Sequence, residues 1–109
     1  MNPKKRIIII DDHPLFREGL KTILGRSNSF DVAGEAGNAS EGIQLIKSLR
    51  PDLVILDISL PDRNGIELIR DILKLAPGTR ILMVSMYSKI DYIVRSFQEI
   101  GRASCRERV

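Results

Sequence analysis

Two short apolar runs, each ending in acid, constrain this chain more than anything else in it. Ile7-Ile8-Ile9-Ile10 leads into Asp11-Asp12, and Leu53-Val54-Ile55-Leu56 leads into Asp57. Apolar β-strand formers without polar alternation read as a strand buried on both faces, the habit of a parallel sheet inside an α/β domain. Carboxylates at the ends of two such strands would converge at one edge of the sheet. Like charges held close repel, so the group needs a cation or a proton. A hard divalent ion with oxygen ligands, such as Mg²⁺, meets that need. A single Asp after a strand is commonly a turn former or a helix cap. Three on two strands, with a further strand ending in Ser85, point to a functional site.

Strand and helix signals alternate along the rest of the chain. Strand one is expected at about residues 6–11, with Pro14 in the first turn of the helix that follows. Leu15, Phe16, Leu20, Ile23 and Leu24 recur there at helical spacing, and Gly25 with Ser27-Asn28-Ser29 ends the helix. Phe30 to Ala36 reads as strand two. Asn38 with Glu41 is a capping-box pattern, opening a helix with Ile43, Ile46 and Leu49 on one face and Pro51 after it. Strand three runs from about Leu53 to Asp57, and Leu60 to Gly65 is loop. Asn64 and Glu67 repeat the cap pattern, with Ile66, Ile69, Ile72 and Leu73 as the expected buried stripe and Pro77-Gly78 as the stop. Strand four covers Arg80 to Ser85, and Ser88 with Asp91 opens a last helix carrying Ile90, Ile93, Val94 and Phe97.

Strands alternating with helices imply a doubly wound parallel sheet with right-handed crossovers. In open sheets of this kind, sites form beyond the carboxyl ends of the strands, where the strand order switches. Asp11, Asp12, Asp57 and Ser85 all belong to that edge. At 109 residues one domain is the ceiling. There is no apolar run long enough to span a bilayer and no signal-peptide pattern. Cys105 is the only cysteine, which excludes an intramolecular disulfide and fits a reducing cytoplasm. Of the net charge of +3, residues 100–109 supply two through Arg102, Arg106 and Arg108 against Glu107, so no nucleic-acid surface is read from the remainder.

The segments Asp11 to Leu20 and Asp57 to Glu67 together resemble a response-regulator receiver domain. The resemblance continues through Val84-Ser85-Met86-Tyr87 and Tyr92 to Phe97, and covers about residues 5–98. The Asp-His-Pro-Leu-Phe-Arg opening is most similar to the NarL/FixJ branch, whose members usually carry a LuxR-type helix-turn-helix domain after the receiver. The resemblance implies a flavodoxin-like sheet of order 2-1-3-4. It implies Asp57 as phosphoacceptor for a phosphohistidine on a sensor histidine kinase. It also implies Mg²⁺ bound by Asp12 directly and Asp11 through water, with Asp57 and the main-chain carbonyl of Ser59 completing the protein ligands. Ser85 takes the place of the switch hydroxyl that hydrogen-bonds the phosphoryl group. Among the neighbours, His13 reads as a cap or packing residue before Pro14, with tuning of the acidic site as the alternative, Met83 and Met86 as packing, and Gly65 as a tight turn. Arg63 and Asn64 read equally as tuning residues or as solvated loop.

After Phe97 the chain departs from the family. A Gly-Ala-x-Gly-Tyr-x-x-Lys type of segment is expected there, supplying strand five and a Lys near the phosphoryl group. Residues 100–109, Ile-Gly-Arg-Ala-Ser-Cys-Arg-Glu-Arg-Val, contain neither. They resemble, residue for residue, the translation of a common short-read sequencing adapter. The expected organisation is therefore an incomplete receiver at 1–99 followed by a non-native tail at 100–109. Strand four would then be an apolar sheet edge, and the chain poorly stable.

The leading expectation is a phosphoacceptor domain that turns over no external substrate. It would act on DNA only through a C-terminal domain not present here, and the full-length parent's dimerisation is open. Two other classes stay open on the residues. One is a phosphorylation-independent interaction module. The other is an aspartyl-phosphate hydrolase of the haloacid-dehalogenase kind, which needs an acid where this chain has Ser59.

Overall fold

Over residues 4–85, which the computed structural model describes, strands and helices alternate without exception. They are β1 (Lys5–Ile10), α1 (Pro14–Gly25), β2 (Phe30–Ala36), α2 (Ala39–Leu49), β3 (Leu53–Asp57), α3 (Gly65–Leu75) and β4 (Arg80–Val84). The strands form one parallel sheet in the order β2-β1-β3-β4, the expected doubly wound, flavodoxin-like arrangement. The expected helix opened by Ser88, the place of a fifth unit and the tail lie outside the described residues.

The run of isoleucines in β1 is explained by what covers the sheet. Ile8 and Ile10 face a core built with Ala39, Ile46, Leu68 and Ile72 of α2 and α3. Ile7 and Ile9 face the opposite way, against Phe16 and Leu20 of α1. All four are buried, and each contributes roughly 2 kcal/mol of apolar burial. A strand flanked by helices on both faces has no position left for a polar residue until the chain leaves the sheet, which is where Asp11 stands.

The helices begin where the sequence indicates. Pro14 is the first residue of α1, and the side chain of His13 does not cap it. Asn38 Oδ1 accepts a hydrogen bond from Glu41 N at 2.9 Å. Glu41 answers through Gly37 N at 3.3 Å rather than through Asn38 N. Asn64 Oδ1 accepts from Ile66 N at 2.7 Å, so Asn64 is a cap rather than solvated loop. Gly42 lets α2 approach β1 closely, since a Cβ there would stand 2.5 Å from Ile10 Cδ1.

Three expectations are corrected. Leu15 is 87% exposed, because α1 turns Phe16 and Leu20 to the sheet and Leu15 lies about 100° away from Phe16 on a 3.6-residue helix. The buried line of α3 is Gly65, Leu68 and Ile72, with Ile69 at its margin. Ile66 and Leu73, at 62% and 45% exposure, stand one residue round from that line. Met83, expected to pack, is exposed on β4, the edge strand of the described sheet.

Candidate functional site

Parallel pairing brings the acidic residues together. Ile10 of β1 lies in register with Leu56 of β3, so the residues that follow them, Asp11 and Asp57, leave the sheet side by side. Asp57 is in turn paired with Val84 of β4, and Ser85, half-buried, follows directly. The carboxyl ends of β1, β3 and β4 thus place every sequence-predicted side chain along one edge.

Asp11 and Asp57 are buried, each 1% exposed, while Asp12 is a third exposed. Asp11 N donates to Ala36 O at 2.9 Å, which extends the β1–β2 pairing one residue past the strand. His13 N donates to Asp11 Oδ1 at 2.8 Å. Ser59 N donates to Asp57 Oδ1 at 2.8 Å, fixing that carboxylate, while its Oδ2 lies 3.6 Å from His13 Nδ1. Ile58 N donates to Val84 O at 3.2 Å and carries the β3–β4 pairing past Asp57.

His13 belongs to the group, not to a capping role. Its Nδ1 lies 3.0 Å from Asp11 Oδ1, 3.0 Å from Asp12 Oδ1 and 3.6 Å from Asp57 Oδ2. One ligand atom from each of Asp11, Asp12, His13 and Asp57 falls within 4.8 Å of all the others. Despite that closeness, Asp12 Oδ1 is buried and accepts no hydrogen bond among the described residues. A buried carboxylate oxygen without a donor is costly and fits a cation. Three carboxylates around a small space are the donor set of a hard divalent ion.

Two further residues shape this edge and were not singled out in the sequence. Arg17 of α1 donates through Nη1 to the main-chain oxygen of Asp11 and through Nε to Glu35 Oε1, the latter at 2.8 Å. Glu35, near the end of β2, also receives Lys21 Nζ. The Lys21 hydrogen bond first, and Arg17 beside it, hold the Glu35 carboxyl below the usual carboxylate range, against an opposing effect of burial. Asp62, in the loop after β3, reaches the start of α2, where Ala39 N and Ser40 N donate to its two oxygens. Those backbone hydrogen bonds, Ala39's foremost, lower its pKa. Opposite charges at i, i+3 or i+4 on one helix are visible in a sequence, but these pairs join elements 14 to 23 residues apart.

The remaining loop residues have structural partners. Arg63 pairs with Asp71 of α3 at 2.6 Å. Gly65 is the first residue of α3 rather than a turn with positive φ. A Cβ there would stand 3.0 Å from Ile58 Cα, so the glycine lets α3 start against the residue after Asp57.

Residues 7–102 match the family described as the response regulator receiver domain. The chain is 42% identical over 83 residues to the DNA-binding transcriptional activator DevR/DosR of Mycobacterium tuberculosis, a match covering 76% of this chain and 38% of that protein. It is 36% identical over 106 residues to the chemotaxis protein CheY of Thermotoga maritima, covering 86% and 88%. Among solved structures, a LuxR-family two-component response regulator from Aurantimonas sp. SI85-9A1 superposes with a TM-score of 0.72 at 33% identity, covering 88% of this chain and 69% of that one. The chain spans less than half the length of the curated transcriptional regulators it matches. No helix among the described residues is long and apolar enough to cross a membrane.

Proposed function

The chain belongs to the response regulator receiver family, among NarL- and LuxR-type relatives, and on that footing we propose that Asp57 accepts a phosphoryl group from a phosphohistidine of a sensor histidine kinase. The observation that carries this reading is the state of Asp57 itself. It is buried, one oxygen is held by Ser59 N, and the carboxylate lies in one group with Asp11 and Asp12.

In the transfer, an Asp57 carboxylate oxygen bonds to phosphorus as the P–N bond to the kinase histidine breaks, and the electron pair leaves with the imidazole. Such a reaction needs positioning and charge neutralisation more than covalent help. Mg²⁺, held by Asp11, Asp12, Asp57 and the main-chain carbonyl of Ser59, would supply positive charge against the phosphoryl oxygens. Nitrogen is a poor ligand for Mg²⁺, so His13 is not counted among these ligands. The strand ends fix Asp11 and Asp57, and the Ser59 N–H sets the plane of the Asp57 carboxylate. Ser85, one residue past Asp57's partner in the sheet, would turn its hydroxyl to the phosphoryl oxygens and convert a local charge event into a movement of the segment after β4.

On this reading the domain turns over nothing beyond its own phosphorylation and dephosphorylation. Its partner is a cytoplasmic kinase domain. Phosphorylation of the parent protein would govern a DNA-binding output domain, as its likeness to a DNA-binding transcriptional activator suggests. We take residues 1–99 as the receiver and residues 100–109 as a non-native tail, while the family match runs to residue 102; genomic DNA read across codon 98 tests that boundary.

The functional test is incubation of the chain with acetyl phosphate and Mg²⁺, followed by intact-mass measurement. The expected result is gain of one phosphoryl group, which does not occur when the metal is chelated beforehand or in Asp57→Asn. Equal labelling of Asp57→Asn would remove the assignment.

A further inference from the structure

We propose that Arg17 is a positioning residue for the cation site, acting through the main chain of Asp11 rather than through its charge. This rests on the Mg²⁺ reading given above. The peptide that joins Asp11 to Asp12 places the Asp12 Cα, and so limits where the Asp12 carboxylate can reach. That peptide lies just beyond the end of β1. Asp11 N–H is secured by Ala36 O, and Asp11 C=O receives Arg17 Nη1.

The guanidinium is itself held. Its Nε donates to Glu35 Oε1 at 2.8 Å. Arg17 is only 20% exposed. A planar fork with donors in fixed directions can bridge a carbonyl and a carboxylate at once, which an ammonium cannot. The result ties β1's last turn to β2 through α1. Groups that orient a metal's ligands in this way commonly matter to its affinity by an order of magnitude.

Charge and geometry make opposite predictions here. A guanidinium near a cation site repels the cation, so an effect through charge means that removing Arg17 tightens binding. A positioning effect means that removing it weakens binding. Glu35 offsets the charge of Arg17, which leaves geometry as the larger effect.

The experiment is calorimetric titration of MgCl₂ into the 109-residue chain, Arg17→Met and Arg17→Lys, with circular dichroism to establish that each is folded. The expected result is a Kd raised about tenfold in Arg17→Met and by a smaller factor in Arg17→Lys, which keeps the charge but loses the fork. A Kd that falls in Arg17→Met, or one unchanged in Arg17→Lys, overturns the proposal. Should Arg17→Met fail to fold, Arg17→Lys decides alone. The same Kd in all three chains removes the positioning role and leaves the Asp57 reading standing. Absence of Mg²⁺ binding in the parent chain removes both.

Discussion

Asp62 caps Ala39: a carboxylate from the loop after β3 sits on the first turn of α2, accepting from Ala39 N at 2.9 Å and from Ser40 N at 3.1 Å. Asn38 satisfies Glu41 N on the same turn, so the exposed donors of that helix end are shared between a local and a distant cap. The contact also ties the loop that carries Ser59 to a second element. Asp62→Ala is expected to destabilise the chain by about 1 kcal/mol, seen as a drop in Tm of roughly 5 °C. An unchanged Tm would show that water replaces the cap without loss.

Two carboxyls with lowered pKa make stability depend on acid. Asp62 is held down chiefly by the Ala39 N–H, and Glu35 chiefly by Lys21. A depressed folded-state pKa contributes stability that is fully present above the unfolded value and lost as pH falls through the folded one. These contributions are therefore expected intact at neutral pH and lost below about pH 4. Urea midpoints measured from pH 7 to pH 3 should fall less steeply for the Glu35→Gln, Asp62→Asn double variant than for the parent. Parallel curves would contradict the assignment.

Gly65 is the contact point between α3 and the turn after Asp57. Gly65→Ala would set a methyl carbon 3.0 Å from Ile58 Cα and 3.2 Å from Ile58 O, both backbone atoms that yield little. Ala favours helix by about 1 kcal/mol over Gly, and overpacking of this kind costs about 1–3 kcal/mol. The net expectation is a loss of about 1 kcal/mol together with slower phosphoryl uptake. A more stable Gly65→Ala would show that the turn has room to move.

His13 Nδ1 lies where a small cation would meet the three carboxylates. Its side chain is 42% exposed and has no capping role to lose. His13→Ala is expected to tighten Mg²⁺ binding by roughly two- to fivefold, because the ring nitrogen no longer competes for the carboxylate oxygens, a contact worth about one hydrogen bond. Weaker binding in His13→Ala would instead make the imidazole a ligand.

The sequence was most legible where one physical rule decided the outcome. Isoleucine at four successive positions admits a strand covered on both faces, and Asn38 and Asn64 admit helix starts, so the elements and their order could be read directly. The acids of the site were legible because they follow those strands. Leu15, Ile66 and Leu73 were misread because helical spacing identifies a stripe but not its edges, and an apolar residue one step round the helix can stand in water. Arg17 and Asp62 were not legible as neighbours of the site. Their partners lie on other elements, and no local spacing encodes a hydrogen bond from Asp62 to Ala39 or from Arg17 to the Asp11 carbonyl.

The most direct test of the central claim is chemical location of the phosphoryl group. The chain is treated with acetyl phosphate and Mg²⁺, the acyl phosphate is reduced with borohydride, and the peptides are sequenced by mass spectrometry. Conversion of Asp57 to homoserine, with Asp11 and Asp12 unchanged, is the predicted result. Reduction at another carboxylate, or no reduced residue under conditions where the chain binds Mg²⁺, would contradict the assignment of Asp57 as the phosphoacceptor.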